Sequence, residues 1–117
     1  MIKKRVFTMK VFDKQAFTAG AGLIKTSPVL DMSQIAPEWS FTLQHKFSGT
    51  GTLKLECLVS STRDGDFFEA CADLETVAPT GTVKIVAFTP ILAPFMKIVA
   101  TASVETVADL DVWLNSR

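Results

Sequence analysis

The chain has 117 residues, of which 48% are hydrophobic and 21% charged, proportions typical of a folded domain rather than a disordered segment. Its 12 basic and 12 acidic residues cancel to a net charge of zero, so it lacks the basic excess that nucleic-acid binding usually needs. No apolar run approaches the roughly 18 residues of a membrane-spanning helix. We therefore expect one domain over residues 1–117, without a nucleic-acid or membrane partner.

Apolar residues alternate with polar ones in short runs along the chain, and prolines and glycines lie between the runs. In the first run, Phe7, Met9 and Val11 share one face, which indicates a strand rather than a secretion signal and implies synthesis in the cytoplasm. About eight strands at roughly ten-residue spacing predict an all-β, antiparallel sandwich resembling a jelly roll. The predicted strands cover residues 3–12, 24–35 (an irregular or edge strand around Pro28), 38–47, both arms of 53–74, 83–89, 95–102 and 104–114.

Residues 53–74 predict a β-hairpin, because Asp64-Gly65 is a strong signal for a two-residue type I′ turn. That turn gathers the apolar residues on one face, whereas a three-residue turn would scatter them and place Cys57 opposite Cys71. We therefore favour the two-residue turn, with Cys57 in the core, Cys71 on the other face and no disulfide between them. Its predicted pairs on the apolar face are Ser61 with Phe68, Val59 with Ala70, Cys57 with Ala72, and Leu55 with Leu74.

Few residues are of the types that carry chemistry. His45, the single histidine, lies on the aromatic face of the strand over residues 38–47, beside Trp39, which indicates a core-edge residue rather than a catalytic one. Asp109 and Asp111 share a strand face, which could hold calcium but is more typical of a solvated face. The two cysteines lack zinc-ligand spacing. We predict no catalytic residue, no metal and no cofactor, and hence a protein that is not an enzyme.

Three residues are candidates for an interaction surface. Trp113 falls on the polar face of the last predicted strand, and an exposed tryptophan is often an interface anchor, although neighbouring loops could instead cover it. Leu58 lies on the outer face of the hairpin and would extend an apolar patch. Phe67 is a further surface aromatic.

Two segments resemble small bacteriophage virion proteins. Residues 59–68 resemble a hairpin of those proteins, with Asp64, Gly65 and Phe68 matching in spacing. Residues 93–101 look like their later strand, in which a proline-aromatic step, here Pro94-Phe95, leads into a basic, β-branched strand. With the final strand, the resemblance extends over residues 41–114.

The resemblance implies a non-enzymatic structural protein of the virion, such as a head decoration, neck or tail component. Its partners would be further copies of itself and other virion proteins, and it would reside in the virion after synthesis in the host cytoplasm. The alternative is a carbohydrate-binding β-sandwich module, which shares the strand pattern and binds sugars through exposed aromatics. The absence of tyrosine and the few candidate surface aromatics disfavour that alternative.

Overall fold

The computed structural model describes residues 7–17, 23–32, 41–49, 51–69, 76–79, 84–88, 93–103 and 107–116. These ranges contain no helix that is long and apolar enough to cross a membrane. Their backbone forms ten strand segments: β1 (Phe7–Gln15), β2 (Ile24–Thr26), β3 (Leu30–Asp31), β4 (Phe41–Ser48), β5 (Thr52–Ser60), β6 (Phe68–Glu69), β7 (Thr76–Pro79), β8 (Lys84–Phe88), β9 (Phe95–Ala102) and β10 (Ala108–Ser116).

The strands form two antiparallel sheets. The front sheet has the order β1-β10-β4-β8, and the back sheet has the order β2-β9-β5-β6, with β3 also on β9 and β7 also on β5. Since β2 and β3 flank the same side of β9, and β6 and β7 the same side of β5, the ten segments occupy eight strand positions. The first position pairs with the last, the second with the seventh, the third with the sixth and the fourth with the fifth. This is the winding of a jelly roll, so the predicted fold class is confirmed.

One cluster of buried side chains lies between the sheets. Along β4 and β10 every second residue is buried, and β5 and β9 show the same alternation. Each fully buried leucine contributes roughly 1.5–3 kcal/mol to folding by leaving water. Among the described residues, the largest fully buried side chains are Leu43, His45, Leu53, Leu55, Cys57, Met96, Ile98, Val107, Leu110, Val112 and Leu114. The predicted core position of Cys57 is confirmed. His45, predicted at the edge of the core, is instead fully buried within it, and Trp39 lies outside the described residues.

The short connection from β4 in the front sheet to β5 in the back sheet contains Gly49 and Gly51. Gly49 has φ 89° and Gly51 has φ 113°. Side chains beyond glycine disfavour this left-handed region of backbone conformation. The two glycines therefore allow the close connection between β4 and β5.

The predicted turn of the hairpin is wrong. Val59 pairs with Phe68 and Leu58 with Glu69, so the loop is longer than either of the two turns considered. Gly65 does not have a positive φ, and its N–H donates to the carbonyl oxygen of Thr62 at 3.4 Å. Arg63 and Asp64 are therefore the central residues of the turn, and glycine takes the last position, where it is common in type I turns.

The register of the hairpin also differs from the predicted one. Val59 faces Phe68 rather than Ala70, and Leu55 faces Thr76 rather than Leu74. Phe68 was predicted on a buried face, but it is 67% exposed. It shares the inner face with Val59 but lies at the edge of the back sheet, where the core does not cover it. Ala70, Cys71, Ala72 and Leu74 lie outside the described residues.

Candidate functional site

The three predicted interface residues lie on opposite sides of the sandwich. Trp113 alternates with the buried Val112 and Leu114, so it projects from the outer face of the front sheet. Leu58 alternates with the buried Cys57 and Val59, so it projects from the outer face of the back sheet. The structure therefore separates Trp113 from Leu58, and they cannot contribute to one patch on a single copy.

Leu58 and Phe67 do come together on the back sheet. Leu58 lies opposite Lys97 in the pairing of β5 with β9. The Lys97 ammonium in turn lies 4.3 Å from the centroid of the Phe67 ring. Both apolar residues are half-buried, so Lys97 links them into one small cluster on the outer face.

The loop after β5 is fixed over the same face by Arg63. Its guanidinium carbon lies 5.2 Å from the centroid of the Phe95 ring, and its Nη2 lies 3.4 Å from Asp31 Oδ2. A cation over an aromatic ring at an exposed site contributes about 0.5–1 kcal/mol. The outer face of the back sheet is thus engaged in contacts within the chain.

On the front sheet, Trp113 belongs to a row of residues that crosses all four strands. The backbone pairing places Lys10, Trp113, Gln44 and Ile85 side by side on the outer face. The Lys10 ammonium lies 5.2 Å from the centroid of the Trp113 ring, and the indole is half-buried. At the other end of the row, on β8, Ile85 is 58% exposed. We call this outer surface of the front sheet the Trp113 face.

Lys10 also holds the carboxylates beside Trp113. Its Nζ lies 2.9 Å from Asp13 Oδ1 and 3.3 Å from Asp111 Oδ1. The hydrogen bond to Asp13, and then the bond and attraction to Asp111, raise the pKa of Lys10 above its ordinary value of 10.5 against the effect of desolvation.

The pKa of Asp111 shifts in the opposite direction, below its ordinary value. Desolvation raises the pKa of Asp111, but the hydrogen bonds from the Lys14 backbone N–H (3.0 Å) and from Lys10 outweigh it and bring the pKa below 3.8. Asp109 has a different partner, because Ser48 Oγ donates to its Oδ2 at 3.3 Å. Within the described ranges, no group of three His, Cys, Asp or Glu side chains could hold a metal ion.

Next to this row runs a second, polar row on the Trp113 face. Thr8 Oγ1 donates to Asn115 Oδ1 at 2.7 Å, and Asn115 Nδ2 donates to Thr42 Oγ1 at 3.1 Å. The row ends at Ala87, which lies opposite Thr42 and is exposed. Both rows thus become apolar as they reach β8.

The sequence prediction missed this apolar end of the Trp113 face. Residues 85–88 read Ile-Val-Ala-Phe, a run without a polar residue from which periodicity could assign an outer side. Only the pairing with β4, which places Val86 opposite the buried Leu43, shows that Ile85 and Ala87 point outward. The available signal was a short apolar strand bounded by Gly81 and Pro90.

Comparisons with known proteins agree with the fold. No protein-family model and no curated protein matches the chain. Among solved structures, the crystal structure of PirA is similar with a TM-score of 0.53 and 10% identity, over 99% of this chain and 97% of that one. At that identity the similarity shows a shared fold and does not extend to function.

Two viral structures are also similar. The Gx strain of infectious bursal disease virus gives a TM-score of 0.48 and 16% identity, over 95% of this chain and 32% of the viral chain. The Gt strain gives 0.46 and 18%, over 95% and 31%. The chain thus spans about a third of each viral chain.

Proposed function

We propose that the chain is a non-enzymatic structural protein of a bacteriophage virion that acts by assembling with copies of itself and with other virion proteins. The observation that carries this proposal is the apolar end of the Trp113 face. Ile85 is 58% exposed there, Ala87 beside it is exposed, and the half-buried Trp113 follows along the row. An apolar patch at a sheet edge is typical of a surface that another protein covers.

The charge of the chain is consistent with such contacts. With 12 basic and 12 acidic residues and a net charge of zero, copies do not repel one another at long range. The jelly roll is a fold that viral capsid domains use, although lectin domains use it as well. The resemblance of residues 59–68 and 93–101 to phage virion proteins favours the viral use.

Light scattering coupled to size-exclusion chromatography tests the proposal. We expect the mass to exceed that of one chain, 12.7 kDa, and to rise with protein concentration. Titration with a panel of oligosaccharides, followed by the fluorescence of the tryptophans, serves as the contrasting measurement. A protein that remains monomeric at high concentration, fails to bind phage particles and binds a sugar would refute the assembly function.

A further inference from the structure

The strands of the described residues leave four sheet edges, and three of these edges carry features that oppose pairing with another chain. On the front sheet the edges are β1 and β8. On the back sheet they are β2 with β3, and β6 with β7. An edge strand presents backbone N–H and C=O groups to any passing strand unless bulges, charges, prolines or short length prevent it.

The β1 edge is irregular and charged. Its pairing with β10 shifts register between Lys10 and Phe12 and again between Phe12 and Gln15. Lys14 has φ 47°, a conformation that interrupts a regular strand. Bulges and charged side chains of this kind keep a second strand from adding in register.

The two edges of the back sheet are short. The three residues of β2 and the two of β3 are separated by a segment containing Pro28. The two residues of β6 and the four of β7 pair with β5 in different registers. Neither side offers a continuous row of backbone groups among the described residues.

The β8 edge differs in each respect. Its five residues pair with β4 in unbroken register, from Phe41 with Phe88 to His45 with Lys84. Its sequence, Lys-Ile-Val-Ala-Phe, has no proline or glycine, and its one charge stands at the first position. Among the described strands β8 pairs with β4 alone. Since antiparallel neighbours use alternate residues, half of its backbone groups point away from β4.

We propose, on the basis of the assembly function above, that β8 pairs with β8 of a second copy, antiparallel and about a two-fold axis at Val86. The pairing would join two front sheets into one continuous sheet and extend the Trp113 face across both copies. Two-fold contacts of this kind use the same surface on each copy and close on themselves.

The sequence of β8 is self-complementary in this register. Val86 lies opposite Val86 of the second copy, and Ile85 lies opposite its Ala87 on the outer face. The two Lys84 positions fall at opposite ends, about 13 Å apart along the strands. Because that exceeds the screening length of about 8 Å at physiological ionic strength, the two lysines do not oppose pairing. A second copy is thus the occupant that this strand fits.

Charge substitution on the outer face of β8 tests the inference. A variant carrying Ile85→Lys and Ala87→Lys places like charges directly opposite each other in the proposed dimer, while both positions are exposed in one copy. We expect its dimer dissociation constant to rise by about tenfold or more. Mixing it with a variant carrying Ile85→Glu and Ala87→Glu restores a dimer containing one copy of each, because opposite charges then face each other. Ile24→Lys, at a 56% exposed isoleucine on the edge of the back sheet, is the matched control and leaves association unchanged.

Hydrogen exchange supplies a second measurement. The amides of residues 84–88 become protected as the wild-type concentration rises, and circular dichroism shows that all variants remain folded. The β8 inference is wrong, while the assembly function stands, if the lysine and glutamate variants each associate as tightly as the wild type. It is also wrong if mixing the two variants does not restore a dimer. A wild-type chain that stays monomeric but binds phage particles also overturns the inference alone.

Discussion

Replacement of Gly65 by alanine tests how the loop after β5 turns. A Cβ at Gly65 would overlap Thr62 Oγ1 and lie 3.3 Å from both Ser60 Oγ and Thr62 Cβ. The backbone itself presents no obstacle, because Gly65 does not have a positive φ. Since Thr62 is exposed, its side chain can rotate away from the new methyl group.

The expected energies follow from these contacts. Forcing Thr62 out of its preferred rotamer costs about 0.5–1.5 kcal/mol. Alanine at a position that tolerates it stabilises by about 0.4–1 kcal/mol, because the unfolded chain loses freedom. In the wild-type background the net effect on the free energy of unfolding lies between a gain of about 0.5 kcal/mol and a loss of about 1 kcal/mol. In a Thr62→Ala background the overlap with Oγ1 is gone, and Gly65→Ala stabilises by up to about 0.4–1 kcal/mol.

Urea denaturation of the four proteins in this double-mutant cycle measures the difference. We expect a coupling free energy of about 0.5–1.5 kcal/mol between positions 62 and 65. Gly65→Val should destabilise more, because its two further methyl groups enlarge the same overlap. If Gly65→Ala costs the same in both backgrounds, the cost comes from the backbone. The two-residue turn with positive φ at Gly65 would then be the correct one.

Three further predictions concern single residues. Gly49→Ala should lower the free energy of unfolding by about 1 kcal/mol, because alanine resists φ 89°, and urea denaturation measures the loss. Trp113→Ala should weaken association with phage particles more than folding, because the indole lies on the outer face; co-sedimentation with the particles and thermal melting compare the two. A larger effect on the melting temperature than on association would contradict it. Because the folded pKa of Asp111 is lowered, its contribution is present above the ordinary value of 3.8 and is lost as the pH falls through the folded pKa. Asp111→Asn should therefore reduce the acid sensitivity of stability, and an unchanged pH profile would exclude the Lys10–Asp111 pair as its source.

The sequence sufficed to assign faces wherever apolar and polar residues alternate. The outward position of Trp113 and the burial of Leu110, Val112 and Leu114 follow from alternation alone, and the structure bears them out. Jelly-roll winding was predictable only as a class from strand number and spacing, since the order of strands in each sheet depends on contacts between distant segments.

The register of the hairpin could not be predicted from alternation. The predicted register paired Val59 with Ala70, and the observed one pairs it with Phe68. A slip of two residues keeps every side chain on the same face, whereas a slip of one reverses them. Burial could therefore exclude the three-residue turn but could not choose between registers two residues apart. The observed loop also makes contacts that no local pattern contains, from Arg63 to Phe95 and Asp31, which are distant in sequence.

The site was harder to predict than the fold, because a strand made only of apolar residues does not show which of its side chains face solvent. Ile85 could be placed on the outer face only once Val86 was known to lie opposite Leu43. Trp113, by contrast, shares the polar face of its strand with Asp109 and Asp111, and this alternation with Leu110, Val112 and Leu114 predicts that it points outward. Neither residue indicates by itself that the two lie in one row across the front sheet.

The jelly roll is shared by domains that assemble and domains that bind sugars, so the fold does not choose between these functions. The aromatic side chains that already make contacts within the chain favour assembly over sugar binding. Cations already lie over the rings of Trp113, Phe67 and Phe95, and a sugar stacking on the same faces would displace contacts worth about 0.5–1 kcal/mol each. Pairing through β8 displaces no contact described for its strand, since it uses backbone groups directed away from β4. For the same reason, a bound sugar would have to displace Lys10 from the Trp113 ring, whereas strand pairing at the far end of the row would leave that contact in place.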